Sequence, residues 1–375
     1  RVLREWLTVD CVKRMSNMVF RCIRGVLILI LRSDRSMAMT SSVVTIFGGS
    51  GFLGRHLVNR LAKQDAVVRV AVRDPEAANF LKPMGDAGQV VPMHANINDD
   101  AQVRLACDGA DIVINLVGLL SEWGKNTFKN VHADGALRVA KAAKDAGAEQ
   151  FIQVSAIGAS AKSPSAYAKT KAEGEAAVKK AFPGATIVRP SVIFGPEDQF
   201  FNRFAGLAQF SPMLPVFGCP AIPKLTLFGE KGALDVDIYG DGGTKFQPVY
   251  VGDVADGIMA ILGTSKAAGN TYELGGPTIY SFKELMELVL RQTSRKKLLI
   301  PIPFWKAMID GWFLQMLPKP LLTCDQVLLL KNDNIVNRKS KGFKDLGIKP
   351  VAAESILPTY LARFKTPKAH NLRTA

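Results

Sequence analysis

From residue 43 onward, short runs of β-branched and apolar residues alternate with longer stretches whose apolar positions recur every three or four residues. Val43 to Phe47, Val67 to Val72, Gln89 to Met93, Asp111 to Val117, Gln150 to Val154 and Thr186 to Arg189 read as strands, each followed by a helix-like segment. Parallel strands need a crossover between them, and helices supply it. The pattern therefore predicts an α/β chain with a doubly wound parallel sheet covered on both faces.

After Arg189 the rhythm breaks into Pro- and Gly-rich loops such as Phe217 to Pro220 and Tyr239 to Gly243. Isolated strands are expected near Phe246 to Val251 and Thr271 to Leu274, and helices at Asp253 to Leu262 and Ser281 to Gln292. This reads as a smaller, irregular C-terminal lobe. The expected division is an extension at 1–40, a nucleotide-binding domain at 41–195, a substrate lobe at 196–300 interleaved with it, and a docking region at 301–375. In the last of these, Trp305, Met308, Ile309, Trp312, Phe313 and Met316 share one helical face. A core-packing helix and an interfacial helix both fit that face, because tryptophans beside basic residues suit a headgroup boundary or a large docking surface.

Charge sharpens the division. The 375 residues carry a formal net charge of +15, yet residues 41 to 290 hold 24 Lys/Arg against 25 Asp/Glu. Residues 1 to 40 hold 8 against 3, and residues 291 to 375 hold 16 against 5, so the two ends carry the excess. With no zinc-finger spacing, aromatic RNA-binding signature or basic-region heptads, no nucleic-acid partner is expected. A basic end instead suits an anionic membrane surface or an acidic protein. Cys11, Cys22, Cys107, Cys219 and Cys324 are odd in number and widely spaced, against a disulfide framework or zinc site and in favour of a reducing compartment. The Arg-rich first 40 residues, with a Gly25 to Leu31 apolar run too short to span a bilayer, read as a presequence, an amphipathic extension or upstream sequence translated in error. Met37 or Met39 is the natural start of the folded chain.

The most specific motif is Gly48-Gly49-Ser50-Gly51-Phe52-Leu53-Gly54, which joins the first strand to the first helix. Gly48 permits the tight turn, Gly51 lets backbone approach a pyrophosphate, and Gly54 lets helix and strand pack closely. The helix start then offers free N–H groups and a positive dipole end to phosphate. The strand-to-helix context makes the fold Rossmann-type and the ligand a nicotinamide dinucleotide. The second strand ends Val72-Arg73-Asp74. An Arg there suits a 2′-phosphate and an acid suits a free ribose hydroxyl; with Arg73 first, NADP(H) is favoured over NAD(H).

Tyr167 and Lys171 lie four apart on one face of a helix following the fifth strand. A nearby ammonium stabilises a phenolate, so Tyr167 could exchange a proton with a substrate oxygen during hydride transfer. Here the chain resembles the extended short-chain dehydrogenase/reductase family of NAD-dependent epimerases and dehydratases over roughly Val43 to Gly276. The glycines, Asn96-Ile97, Leu116-Val117-Gly118, Tyr167/Lys171 and Arg189-Pro190 fall where that family contacts its cofactor. The resemblance implies cofactor contacts from Gly48, Ser50, Gly51, Phe52, Leu53, Gly54, Arg73, Asn96, Ile97, Leu116, Val117, Gly118, Tyr167, Lys171 and Pro190, with Tyr167, Lys171 and Ser155 catalytic. Asn96 stands where the family has an acid beside the adenine, and an amide can still hydrogen-bond there. Ser155, with Ser160 nearby, replaces the consecutive serines of active relatives, and the Gly218 to Thr244 loop is longer than usual.

Within that family, Ala181 to Ala205, Phe246 to Ala255 and Glu273 to Pro277 are similar to the nucleotide-binding accessory subunits of respiratory complex I. That resemblance implies a tightly held, structural NADP(H), subunits of NADH:ubiquinone oxidoreductase as partners, and a peripheral position on the inner membrane. The side is matrix in a mitochondrion or cytoplasmic in a bacterium, with the C-terminal region on the membrane surface. A free-standing reductase, epimerase or dehydratase using the Tyr-Lys-Ser set is the alternative, and a redox-sensing binding protein a third. His56, His94, His132 and His370 lack metal-ligand spacing and read as packing or surface residues, so no metal is expected.

Overall fold

The computed structural model describes residues 42–220, 224–229, 232–317 and 320–365, the side chains of 224–236 excepted. The 1–40 extension with Cys11 and Cys22, and the last ten residues with His370, lie outside them.

The first half runs β1 (Val43–Phe47), α1 (Phe52–Ala62), β2 (Val67–Val72), β3 (Val90–His94), α2 (Asp100–Cys107), β4 (Ile112–Asn115), α3 (Ala136–Asp145), β5 (Gln150–Val154), α4 (Ala166–Ala181) and β6 (Thr186–Pro190). The second half runs β7 (Ile193–Phe194), α5 (Phe201–Phe210), β8 (Met213–Phe217), β9 (Lys224–Gly229), β10 (Gly232–Asp237), β11 (Lys245–Phe246), β12 (Val249–Tyr250), α6 (Val251–Leu262), β13 (Thr271–Leu274), β14 (Tyr280–Ser281), α7 (Phe282–Thr293), β15 (Leu298–Ile302), α8 (Phe304–Leu314), α9 (Cys324–Leu330) and α10 (Ala353–Leu361).

Seven strands make one parallel sheet in the order β13-β6-β5-β4-β1-β2-β3. Its central strands are apolar nearly throughout because helices cover both faces. On one side Leu53, Leu57, Val58 and Leu61 of α1 share a core with Val254, Ile258 and Ile261 of α6. On the other, Val103 of α2, Val139 and Ala143 of α3 and Val178 of α4 close a second core. The strand order reverses between β1 and β4, and the crevice beyond their carboxyl ends is where such sheets bind ligands.

The expected isolated strand at Thr271 to Leu274 is the edge strand of this sheet, paired with β6 from Thr271↔Ile187 to Leu274↔Pro190. Its partner lies more than 80 residues earlier, a distance that local pattern does not report. The smaller lobe has its own core, in which Phe194, Phe201, Phe246 and Phe282 meet Leu357 and Tyr360 of α10. Within the long 218–244 loop, β9 and β10 pair as an antiparallel hairpin.

The structure divides the aromatic face of helix α8 between core packing and exposure. The helix packs on the core through Ala307 and Gly311 and, in part, through Phe304, Met308 and Leu314, while Trp305, Ile309, Trp312, Phe313 and Met316 are each more than half exposed. All of the apolar face but Met308 is thus turned to the outside. Among the described residues no helix is long and apolar enough to cross a membrane.

Candidate functional site

The glycine end of the crevice is built from backbone. Gly48 has φ +77°, a left-handed conformation that L side chains rarely adopt, and its N–H donates to Ala71 O at 3.2 Å. A Cβ on Gly54 would lie 2.4 Å from Gly49 O, so α1 can pack this close to the turn only with glycine there. The helix N-cap, Gly51, supplies no side-chain cap, and no acidic residue occupies the first turn. Gly51 is exposed and Ser50 and Phe52 half-buried beside it, whereas Leu53 points into the core. These amides have the geometry that holds phosphate.

At the end of β2, Arg73 and Asp74 are both exposed. The Asp74 carboxylate accepts the Ala77 N–H at 3.1 Å, so it serves the turn that follows the strand. Beyond β3, the Asn96 side-chain oxygen accepts the Asn98 N–H at 3.0 Å, while Ile97 is buried. Beyond β4, Val117 N–H donates to the Asn115 side chain at 3.1 Å, and Asn115 is itself locked to Gln153 at 2.9 Å in the buried sheet.

The other end of the crevice gathers side chains. Gly118 lies against Lys171, since a Cβ there would be 3.1 Å from Nζ, and Nζ is 5.9 Å from the centre of the Tyr167 ring. Ser155, at the end of β5, is buried, and its Oγ has no hydrogen-bond partner. Pro190 is buried at the end of β6, where its carbonyl accepts the Ile157 N–H at 3.0 Å. The structure therefore brings Gly118, Tyr167 and Lys171 together, with Arg73 on a separate strand end.

Two residues of this pocket were not expected to be in it. His132 stands in a π-helical turn, Lys129–Gly135, and its ring lies edge-on to Tyr167 at 5.2 Å and stacked on Phe128 at 5.4 Å. Its Nε2 accepts the Leu119 N–H at 2.9 Å, which leaves Nδ1 to donate to Thr170 Oγ1 at 3.3 Å. Burial, and then the Lys171 charge, push its pKa down to about 3, so the ring is a neutral staple between the loop after β4 and helix α4. The second residue, Asp325 of α9, accepts the Ser165 hydroxyl at 2.9 Å and the Ala166 and Tyr167 N–H groups at 2.6 and 3.2 Å. Helical spacing could have offered His132 as a candidate; no local signal marks Asp325.

Electrostatics here differ from the expectation of a stabilised phenolate. Burial and the Asp325 charge push the Tyr167 pKa up to about 12, and burial pulls the Lys171 amine down to about 8. Desolvation outweighs the mutual attraction, so at neutral pH the tyrosine is a neutral phenol. It can donate a hydrogen bond to a ligand oxygen, as can the Lys171 amine, which stays mostly protonated at neutral pH.

A parallel sheet with a glycine turn at its reversal point, and a Tyr-x-x-x-Lys helix across the crevice, defines an NAD(P)-binding fold of the extended dehydrogenase type. Residues 44–275 match the model of the NAD dependent epimerase/dehydratase family. The chain is 35% identical over 341 residues to the mitochondrial NADH dehydrogenase [ubiquinone] 1 alpha subcomplex subunit 9 of Arabidopsis thaliana, covering 88% of this chain and 79% of that one. It is 33% identical over 331 residues to the subunit of the same name from Mus musculus, covering 88% and 82%. Among solved structures, the NADPH-dependent quinone oxidoreductase QOR2 of Escherichia coli, complexed with NADPH, superposes with a TM-score of 0.63 at 19% identity, covering 85% of this chain and 99% of that one, and shares the fold. The chain belongs to the NAD dependent epimerase/dehydratase family and, within it, to the alpha subcomplex subunit 9 branch of NADH dehydrogenase.

Proposed function

We propose that this chain is an accessory subunit of mitochondrial NADH:ubiquinone oxidoreductase that holds NADP(H) for structure or assembly, peripherally on the matrix side of the inner membrane. The observation that carries the reading is the outward apolar face of α8, which a free-standing soluble reductase has no need to expose. Relatives named as subunits of that enzyme, matched over most of both chains, support it. Gly48 to Gly54 would hold the pyrophosphate, and Tyr167 and Lys171 would anchor the nicotinamide ribose. When bound, the dinucleotide supplies hydride chemistry; the chain supplies binding, orientation and a neutral phenol. The occupant proposed for the α8 face is the anionic membrane surface. Trp305 and Trp312 suit the headgroup boundary, and the 16 Lys/Arg against 5 Asp/Glu in residues 291–375 complement its charge.

Affinity purification from mitochondrial membranes in mild detergent tests the subunit reading. Oxidoreductase subunits recovered in stoichiometric amounts support it; a chain found alone in the soluble fraction overturns it. Flotation with phosphatidylglycerol vesicles tests the membrane contact, which Trp312→Ser with Phe313→Ser should abolish. Flotation unchanged by those substitutions points to a protein partner instead.

The buried, unpartnered Ser155 Oγ favours a second reading, a reductase that receives a substrate oxygen between Ser155 and Tyr167. On that reading Tyr167→Phe removes NADPH-dependent turnover and leaves nucleotide affinity within about threefold. Equal loss of both excludes acid/base work by Tyr167.

A further inference from the structure

Asp325 completes a helix start that lies some 160 residues away from it in sequence. Of the first amides of α4, Ala166 and Tyr167 donate to Asp325 and Ala168 to Ser165 Oγ at 3.3 Å, before Lys169 makes the first intrahelical bond. All three of these orphan donors are thereby satisfied, two of them by a residue of the other lobe. The next residue, Gln326, donates from its side chain to Leu120 O at 3.4 Å, just beyond the Leu116-Val117-Gly118 segment. Helix α9 is thus tied to both walls of the pocket that contains Tyr167.

The same helix is tied to α8. Gly311 lies against the Thr323–Cys324 backbone, where a Cβ would come within 3.2 Å, and Cys324 Sγ donates to Met308 O at 3.7 Å. A continuous set of contacts therefore runs from helix α4 through Asp325 to the exposed aromatic face.

We infer that Asp325 is a positioning residue that fastens the α8–α9 hairpin to the helix carrying Tyr167 and Lys171, so that nucleotide occupancy and ordering of the apolar α8 face form one coupled equilibrium. The inference rests on the dinucleotide-holding reading above. A ligand that contacts Gly118 and Tyr167 stabilises the two segments that α9 bridges, and by linkage the hairpin's order must in turn raise the ligand's affinity. The device makes the docking face report whether the cofactor is in place.

Hydrogen exchange of the purified full chain, with and without saturating NADPH, tests this. In the wild type NADPH should slow exchange in residues 48–56, in α4 and in the hairpin 304–330 alike. Asp325→Asn keeps the side chain's size but removes its charge and one of its acceptor oxygens. It should lower NADPH affinity about fivefold and abolish the nucleotide response of residues 304–330, leaving that of 48–56. If Asp325→Asn does not melt cooperatively, Gln326→Ala, which cuts the other tie, should blunt the same response. A wild-type hairpin indifferent to NADPH, or an Asp325→Asn hairpin that still responds in full, overturns the coupling while the binding reading stands. No protection at residues 48–56, with no binding by fluorescence titration, overturns the dinucleotide reading itself.

Discussion

Two helix amino termini face one crevice, and they are finished in opposite ways. Helix α1 begins on Gly51 with no side-chain cap and no acid in its first turn, so its donors are left for a ligand. Helix α4 begins on Ser165, which caps Ala168, and its remaining donors are taken by Asp325. The same backbone chemistry is left open in one place, as the proposed binding site needs, and closed as a structural joint in the other. What decides is whether the chain itself supplies the anion.

The largest effect should come from disabling the open terminus. Gly54→Val places a branched side chain where a Cβ already meets backbone at 2.4 Å, and neither strand nor helix can yield. A loss on the order of 5 kcal/mol in stability is expected, together with undetectable NADPH binding, read by chemical unfolding and fluorescence titration. A variant that folds and binds normally would mean that the turn is not the phosphate site.

This end was the legible one. Its features are set by residues within seven positions of each other, and strands β1 to β6 fall within about two residues of where alternation put them. Side-chain pattern reports which face of a nearby element is buried, and so it located Tyr167 and Lys171 on their helix. It did not show Thr271–Leu274 as an edge of the main sheet, or Asp325 on the start of α4, because both depend on contacts across 80 to 160 residues. The aromatic stripe on α8 was legible as a stripe, but only the packing shows that Met308 turns to the core while Trp305, Ile309, Trp312, Phe313 and Met316 point outward.

At the closed end, pH separates the buried groups. An unfolded imidazole takes up a proton near pH 6.5, whereas the folded His132 resists until about 3. Between those values the unfolded state binds more protons, so stability falls as pH falls, by up to about 5 kcal/mol. His132→Phe should be less stable than the wild type at pH 7, since Leu119 N–H loses its acceptor, yet should lose less between pH 6 and 4. Parallel urea-unfolding curves for the two proteins over that range would refute a neutral buried ring.

The Lys171 amine gives a slope of the same sign in a higher pH window. Its folded pKa of about 8 lies below the ordinary value of 10.5, so from pH 8 upward the unfolded state holds more protons and stability rises with pH. The gain between pH 8 and 10 is about 2–3 kcal/mol, before Tyr167, raised from 10.0 to about 12, begins to act in the other direction. Lys171→Met should flatten that rise and also weaken NADPH binding about tenfold. A rise that persists in the variant would assign it to another group.

The smallest effect sharpens the open end alone. Asp74 is occupied by the Ala77 N–H, while Arg73 is exposed at the tip of β2, so the residue free to meet a 2′-phosphate is the arginine. A solvent-exposed ion pair of this kind contributes about 1 kcal/mol, and a hydrogen-bonded phosphate somewhat more. Arg73→Ala should therefore weaken NADPH about tenfold, leave NADH within twofold, and leave the melting temperature where it was. Because the side chain touches no part of the closed end, hydrogen exchange at Ala166 and Tyr167 should also be unchanged in the nucleotide-free variant. An unchanged NADPH/NADH ratio would remove the case for the phosphorylated cofactor and turn attention to Asp74 as a ribose-binding acid.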